Sequence, residues 1–145
     1  SLDVDYNGNL YYTQTGNYFP IHMISPNLSG DFAIYTSGFQ PGTDDIMDAE
    51  RFSIASDIAI DNDRNIYVVD KAHSDVTVFN SYGDYFKKIN IPADTIIINQ
   101  DTSINQIVAV TVDQNNVVYI CDKSHGVVYR YKLSNILNED INTGD

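Results

Sequence analysis

The fold is decided by residues 58–79, which read IAIDNDRNIYVVDKAHSDVTVF. Apolar runs lie on either side of the polar segment DNDRN, a pattern typical of two strands joined by a tight turn. A second polar segment then separates this pair from a third apolar-alternating run, Val76–Phe79. Branched and aromatic side chains dominate the runs, as a pleated and half-buried surface favours. The stretch therefore predicts three consecutive antiparallel strands.

The same pattern occurs three times along the chain. Asp5, Asp61 and Asp113 each end an apolar run, precede a polar turn and stand six residues before a tyrosine. The first two aspartates are 56 residues apart and the second two are 52 residues apart. Repeats of about 40–50 residues are typical of propeller blades, so these units carry modest insertions.

Four antiparallel strands in sequence order form a β-propeller blade, so the sequence predicts an all-β chain of propeller blades. A fourth strand is expected at Phe32–Tyr35 and at Tyr85–Ile89, and the third unit has no clear fourth strand. A weak helical pattern follows Ser134. We predict three blades and then a polar tail or linker, at about residues 2–39, 52–91, 107–133 and 134–145.

Residues 58–79 resemble the NHL repeat in their strand-ending Asp61, their turn, the Tyr-Val-x-Asp segment and the closing V-x-V-F. The linker Phe39–Phe52 is similar to the Gly-rich connection that enters the next NHL blade. The eponymous Asn-His-Arg/Leu triplet is absent, since residues 73–75 and 125–127 read HSD and HGV. The resemblance implies a propeller that closes with six blades, or sometimes with five.

Three blades form an open arc, which leaves an apolar face uncovered at each end. Two arrangements close the ring. The missing blades belong to a longer chain, or a second copy associates as three blades plus three. The sequence favours the first and leaves both open.

The charge balance excludes some partners. The chain of 145 residues has 20 acidic and 8 basic residues, a net charge of −12, which disfavours nucleic acid and anionic membrane surfaces. No apolar run is long enough to span a bilayer, so no direct membrane insertion is expected. The acidic, Asn- and Tyr-rich composition favours an extracytoplasmic place, in the periplasm or as a bacterial surface protein. The single cysteine, Cys121, lies in an apolar run and is expected to be buried.

Metal and cofactor motifs are weak. The segment Asp3-x-Asp5-x-Asn7-Gly8 matches the start of a calcium loop, but position twelve is Gln14 rather than a carboxylate. A hairpin turn explains the same residues without a metal, so no cofactor is predicted. The equivalent places of His73 and His125, three residues after an aspartate, predict a shared structural role rather than convergence on a metal.

Tyrosines suggest a contact surface. Tyr11, Tyr67 and Tyr119 recur with the repeat, which predicts packing, whereas other tyrosines lie near turns, where they can form contacts. The loop Gln14–Pro20 stands in the first unit where the other units carry histidine. The predicted binding residues are Tyr12, Asn17, Tyr18, Phe19, His73 and His125.

The sequence therefore predicts a non-catalytic recognition or scaffold domain that binds a protein, peptide or glycan through loops on one face. The competing hypothesis is an enzyme, a metal-dependent lyase or lactonase with its site on the ring axis, which the resemblance implies for some NHL-like propellers. No nucleophile motif or phosphate-binding loop is present, which disfavours an enzyme of those kinds. A purely structural spacer is the third hypothesis, and the fold alone does not choose among them.

Overall fold

The fold consists of three separate antiparallel sheets. The structure, a computed structural model, describes residues 1–13, 21–27, 31–33, 54–89 and 105–132. For residues 31–33 it describes the backbone only. These residues contain strands and no helix, so none of them belongs to a helix that could cross a membrane. The predicted weak helical pattern, the linker Phe39–Phe52 and the tail 134–145 lie outside the described residues.

Each sheet is a meander of consecutive strands, which is the topology of a propeller blade. The first blade contains β1 (Leu2–Val4), β2 (Leu10–Thr13), β3 (Ile21–Ile24) and β4 (Asp31–Ala33). The second contains β5 (Ala55–Ile60), β6 (Ile66–Asp70), β7 (Asp75–Phe79) and β8 (Tyr85–Ile89). The third, within the described residues, contains β9 (Ile107–Val112), β10 (Val117–Asp122) and β11 (Val127–Lys132).

These sheets confirm the prediction of all-β propeller blades. The predicted fourth strand of the second unit is β8 at its expected bounds. The fourth strand of the first unit begins at Asp31, one residue earlier than predicted.

The hairpin between the first two strands of every blade needs one residue with a positive φ. The third residue after the turn aspartate takes it: Gly8 at 82°, Arg64 at 66° and Asn116 at 57°. Glycine adopts this left-handed conformation without a Cβ clash, whereas another L-residue is destabilised by about 1–2 kcal/mol. Arg64 therefore destabilises its own turn, and contacts of its side chain outside the turn must compensate for that loss of stability.

Turns alternate between the two ends of each blade because the sheets are meanders. We call the end with the turns between the second and third strands, residues 71–74 and 123–126, the cleft face. The other end, which we call the opposite face, carries turns that include residues 5–9, 61–65, 80–84 and 113–117.

The first strands of neighbouring blades lie side by side and are tied by aspartates. Asp3 Oδ2 accepts a hydrogen bond from the Ile60 backbone N–H at 2.7 Å, and Asp57 Oδ2 accepts one from Val110 at 2.9 Å. The first strand of each of these blades pairs with the second strand of the same blade in a register that points the Ile60 and Val110 N–H groups away from their own sheet. Each aspartate therefore satisfies a donor that strand pairing leaves unpaired.

The core is divided into two layers, one on each side of the second blade. Tyr11 and Ile21 of the first blade pack with Ile58 and Ile66 of the second. On the other side of the second blade, its Tyr67, Val69 and Val76 pack with Val118 and Ile120 of the third. Burying a side chain of this size stabilises the fold by about 1.5–3 kcal/mol. The second blade is therefore stabilised by packing on both of its sides, and all five residues of β6 are buried.

The two outer blades each have one uncovered face. Leu2 is 65% exposed, although its equivalent in the second blade, Ile58, is 3% exposed. At the other end Val128 is 62% exposed, whereas its equivalent Val76 is fully buried. Cys121 shares this uncovered face and is half-buried, so the expectation of a buried cysteine is wrong. The physical reason is that no further blade covers that face within the described residues.

Candidate functional site

One aspartate organises the hairpin turn of every blade. Asp61 Oδ1 accepts the backbone N–H groups two and four residues on, both at 2.8 Å, and its Oδ2 accepts the Tyr67 hydroxyl at 3.0 Å. Asp5 and Asp113 repeat these contacts, with hydroxyl distances of 3.3 and 3.4 Å to their own tyrosines. This common environment confirms the prediction that the three aspartates mark the same position in three repeats.

The environment of these turns fixes their protonation. Burial acts to raise the pKa of Asp5, but hydrogen bonds from Asn9 and the nearby Arg64 guanidinium help to outweigh it, so the pKa lies below its usual value. Burial raises the pKa of Tyr11, whose hydroxyl donates to Asp5, and burial likewise raises the pKa of Tyr67. The turn of the first blade therefore pairs a carboxylate with a protonated tyrosine, as their hydrogen bond requires.

The turns on the opposite face also tie neighbouring blades together. The Asn62 backbone N–H donates to Asn116 Oδ1 at 3.0 Å, and the Asn62 side-chain amide donates to the Gln114 carbonyl at 2.7 Å. Between the first two blades, Arg64 Nε lies 3.2 Å from Asp5 Oδ2. The opposite face is thus occupied by contacts that hold the arc together.

The weak calcium candidates are engaged separately. Asp3 reaches across to Ile60 of the next blade, while Asp5 accepts hydrogen bonds from its own turn, including the Asn7 backbone N–H at 2.9 Å. Within the described part of the chain, no three histidine, cysteine or acidic side chains are grouped so that they could hold a metal.

A second repeated arrangement lies on the cleft face. His73 Nδ1 is 2.5 Å from Asp70 Oδ2, and His125 Nδ1 is 2.6 Å from Asp122 Oδ2. The side chains of both aspartates are completely buried. Their Oδ1 atoms also accept the backbone N–H at the entrance to the first strand of the same blade, at 3.2 and 3.0 Å. Each pair thus joins the second turn of a blade to the start of that blade.

The Asp122 carboxylate of the third blade remains ionised far into acid. Burial acts to raise the pKa of Asp122, but hydrogen bonds from the His125 and Ser124 side chains and from backbone N–H groups outweigh it, and the pKa lies far below its usual value. The negative charge of this carboxylate is therefore matched inside the turn and is not directed towards solvent.

These rigid turns frame a cleft between the second and third blades. Its volume is about 540 Å³, within the range of about 300–1,000 Å³ that is usual for ligand pockets. The turn residues of the two blades form its rim, and the entrance of β9 forms its floor, where Ile107 is buried. The polar side chains that line it are Lys71, Ser74, Asn105, Gln106 and Lys123.

The predicted contact residues are not brought together as one group. His73 and His125 lie in the turns of the cleft face, although neither lines the cleft. Tyr12 lies on β2 of the first blade, where its ring stacks on His22 with 4.9 Å between centroids. Asn17, Tyr18 and Phe19 lie outside the described residues. Their binding role stays a prediction.

Two lysines of the cleft were absent from the sequence-based candidates. Lys71 and Lys123 directly follow Asp70 and Asp122, so they are equivalent in the repeat. They are also two of only eight basic residues in the chain. Their recurrence was readable from the sequence, but their convergence on one cleft depends on how adjacent blades stack.

Solved structures share this fold at low sequence identity. A streptogramin B lyase structure matches 94% of this chain and 41% of its own, with 12% identity and a TM-score of 0.55. Hydrazine synthase of Kuenenia stuttgartiensis matches 89% and 34%, with 9% identity and a TM-score of 0.51. Virginiamycin B lyase from Staphylococcus aureus matches 91% and 40%, with 14% identity and a TM-score of 0.51.

The likeness carries the fold and nothing finer. This chain spans less than half the length of each of these structures. No protein-family model and no curated protein sequence matches it. The lyases are β-propeller proteins, and the chain shares that architecture.

Proposed function

We propose that this chain is a non-catalytic recognition or scaffold domain that binds a protein, peptide or glycan through the cleft face. The observation that carries the proposal is the cleft of about 540 Å³ between two equivalent turns. Binding residues are commonly placed on loops that a rigid scaffold positions. Here the buried aspartates Asp70 and Asp122 supply that rigidity, because each fixes its turn to the blade entrance.

The histidines of the cleft face fit a structural role in the turns better than a catalytic one. In both blades the Nδ1 atom of the histidine is engaged by a buried carboxylate at 2.5–2.6 Å. The same arrangement at two successive outer positions matches a repeated structural element. A lyase or lactonase site would instead gather different groups at one point near the axis.

A panel of immobilised peptides and glycans tests the proposal. Ala72 lines the cleft and is exposed, so Ala72→Trp should obstruct it without disturbing the core. The matched control is Tyr82→Ala, since Tyr82 is 86% exposed on the opposite face. We expect ligands of the 145-residue chain to be lost with Ala72→Trp and retained with Tyr82→Ala.

The contrary results are equally clear. Ligands that are lost only with Tyr82→Ala would move recognition to the opposite face. A panel without any binding, together with divalent-metal-dependent turnover of a lactone or cyclic ester, would favour the enzyme.

We also propose that further blades of the same polypeptide, in NHL-like repeats, cover the two end faces. At both internal junctions a turn side chain, Arg64 or Asn116, reaches the preceding blade. In a ring made with a second copy, Gly8 would occupy that position, and Thr111 and Ala109 would stand where Asp3 and Asp57 tie the two internal junctions. A second copy therefore lacks the polar contacts that both internal junctions use. Extracytoplasmic placement, supported by composition alone, belongs to the same proposal.

A further inference from the structure

The cleft between the second and third blades differs in charge from the rest of the chain. The chain has 20 acidic and 8 basic residues, yet none of the described residues that line the cleft is acidic and two of them are lysines. A quarter of the basic residues thus border one cavity. The cleft thus carries local positive charge within a chain whose net charge is negative.

The two lysines are held at equivalent points of two rigid turns. The Lys71 backbone N–H donates to the Ile54 carbonyl at 3.0 Å, and the Lys123 backbone N–H donates to the Gln106 carbonyl at 2.9 Å. Both side chains are exposed, and within the part of the chain that the structure describes neither ammonium group has an ion pair. By contrast, Lys88 on the same blade is paired with Asp75 at 2.8 Å.

The remaining lining adds donors that suit an anion and a small apolar floor. Ser74 provides a hydroxyl, Asn105 and Gln106 provide amides, and Ile107 closes the bottom. Ammonium and amide groups both donate hydrogen bonds to carboxylate oxygens. The described residues of its lining include no aromatic ring and no arginine, so they offer charge and hydrogen bonds rather than stacking.

We propose that this cleft binds carboxylate groups, with Lys71 and Lys123 on either side of the ligand. The inference rests on the proposed recognition function and specifies its ligand class. The shared chemistry is two carboxylates on one molecule, which a free dicarboxylic acid or the side chains of an acidic peptide can supply. Nucleic acid is a poor alternative because the net charge of −12 repels a long polyanion.

Amide chemical shifts of the 145-residue chain test this inference. The probes are succinate, a hexaglutamate peptide and, as the neutral control, a hexaglutamine peptide. We expect succinate or hexaglutamate to shift the amides of residues 71–74 and 123–125 saturably. A tighter fit for hexaglutamate than for succinate would identify a peptide source, and the reverse order would identify a small dicarboxylate.

A matched pair of double variants separates local from general charge. Lys71→Gln with Lys123→Gln should weaken binding about tenfold, as the loss of two partly exposed ion pairs predicts. Arg130→Gln with Lys132→Gln removes the same charge from β11, outside the cleft, and should leave the affinity within about twofold. All four residues are exposed, so both proteins should keep the wild-type amide dispersion.

Three results would overturn the carboxylate assignment. The first is the absence of saturable shifts with both anions, and the second is equal weakening in the two double variants. The third is binding of hexaglutamine at these amides as tightly as hexaglutamate. That third result would leave the cleft face as a recognition surface. The recognition proposal itself fails if Ala72→Trp keeps the ligands that the peptide and glycan panel identifies.

Discussion

Replacing Asp61 by alanine should be far more damaging than the same change at Asp113, although both residues occupy the same place in the repeat. The Asp61 carboxylate accepts hydrogen bonds from the Asp63 and Asn65 backbone N–H groups at 2.8 Å and from the Asn65 side-chain amide at 2.8 Å. It also accepts the hydroxyl of Tyr67, which is completely buried. The substitution therefore removes the common acceptor of four donors.

The cost follows from which donors water can reach after the substitution. Asp63 is exposed and Asn65 half-exposed, so their donors can be rehydrated at a net loss of about 0.5–1 kcal/mol each. The buried Tyr67 hydroxyl would remain without a partner, which costs about 1–3 kcal/mol. We expect Asp61→Ala to lower the free energy of unfolding by about 3–5 kcal/mol.

Urea denaturation followed by far-UV circular dichroism measures this loss, and Asp113→Ala is the matched control. Asp113 is less buried than Asp61, and the hydroxyl of its partner Tyr119 is 3.4 Å away. Asp113→Ala should therefore lower the free energy of unfolding by clearly less than Asp61→Ala does. If the two variants lose the same stability, or if Asp61→Ala loses less than about 1 kcal/mol, burial of the acceptor does not set the cost.

Three further predictions concern the junctions and the pH response. Arg64→Gly should be more stable than Arg64→Ala by about 1 kcal/mol in urea denaturation, because both lose the Asp5 contact but only glycine relieves the positive φ; equal stabilities would contradict this. Ile58→Ala should cost about 2–5 kcal/mol and Leu2→Ala less than about 0.5 kcal/mol, and a large loss at Leu2 would mean that the end face is covered in solution. The folded-state pKa of Asp122 lies below its unfolded value of 3.8, so its stabilising contribution is present above that value and is lost as the pH falls through the folded pKa. The free energy of unfolding is measured at pH 7 and in steps below pH 4. As the pH falls, it should decrease less steeply in Asp122→Asn than in the wild type, and the same dependence on pH in both proteins would refute the role of Asp122.

The repeat itself was readable from the sequence because its determinants are local. An aspartate, a turn and a tyrosine six residues on specify one hairpin, and the three hairpins have the same hydrogen bonds. The shared surroundings of His73 and His125 were predictable for the same reason, because each histidine follows its aspartate, Asp70 or Asp122, by three residues.

Contacts between blades were not readable, since they join residues more than fifty positions apart. Nothing local distinguishes Asp3, which reaches Ile60 of the next blade, from an aspartate in a calcium loop. Arg64 stands where its own turn favours glycine, and only the neighbouring blade explains it. The half-buried state of Cys121 likewise depends on what covers its blade and not on the apolar run around it.

The ties from Asp3 and Asp57 to neighbouring first strands also bear on how the protein behaves in concentrated solution. A row of free backbone N–H groups along a strand is a template to which a foreign chain can add, and this is how many β-proteins aggregate. A carboxylate over such an amide consumes the donor and places negative charge beside it. Removing either acid should therefore leave a backbone donor unpaired at the junction between two blades, which lowers the free energy of unfolding by about 1–3 kcal/mol, and it should also lower solubility at high protein concentration.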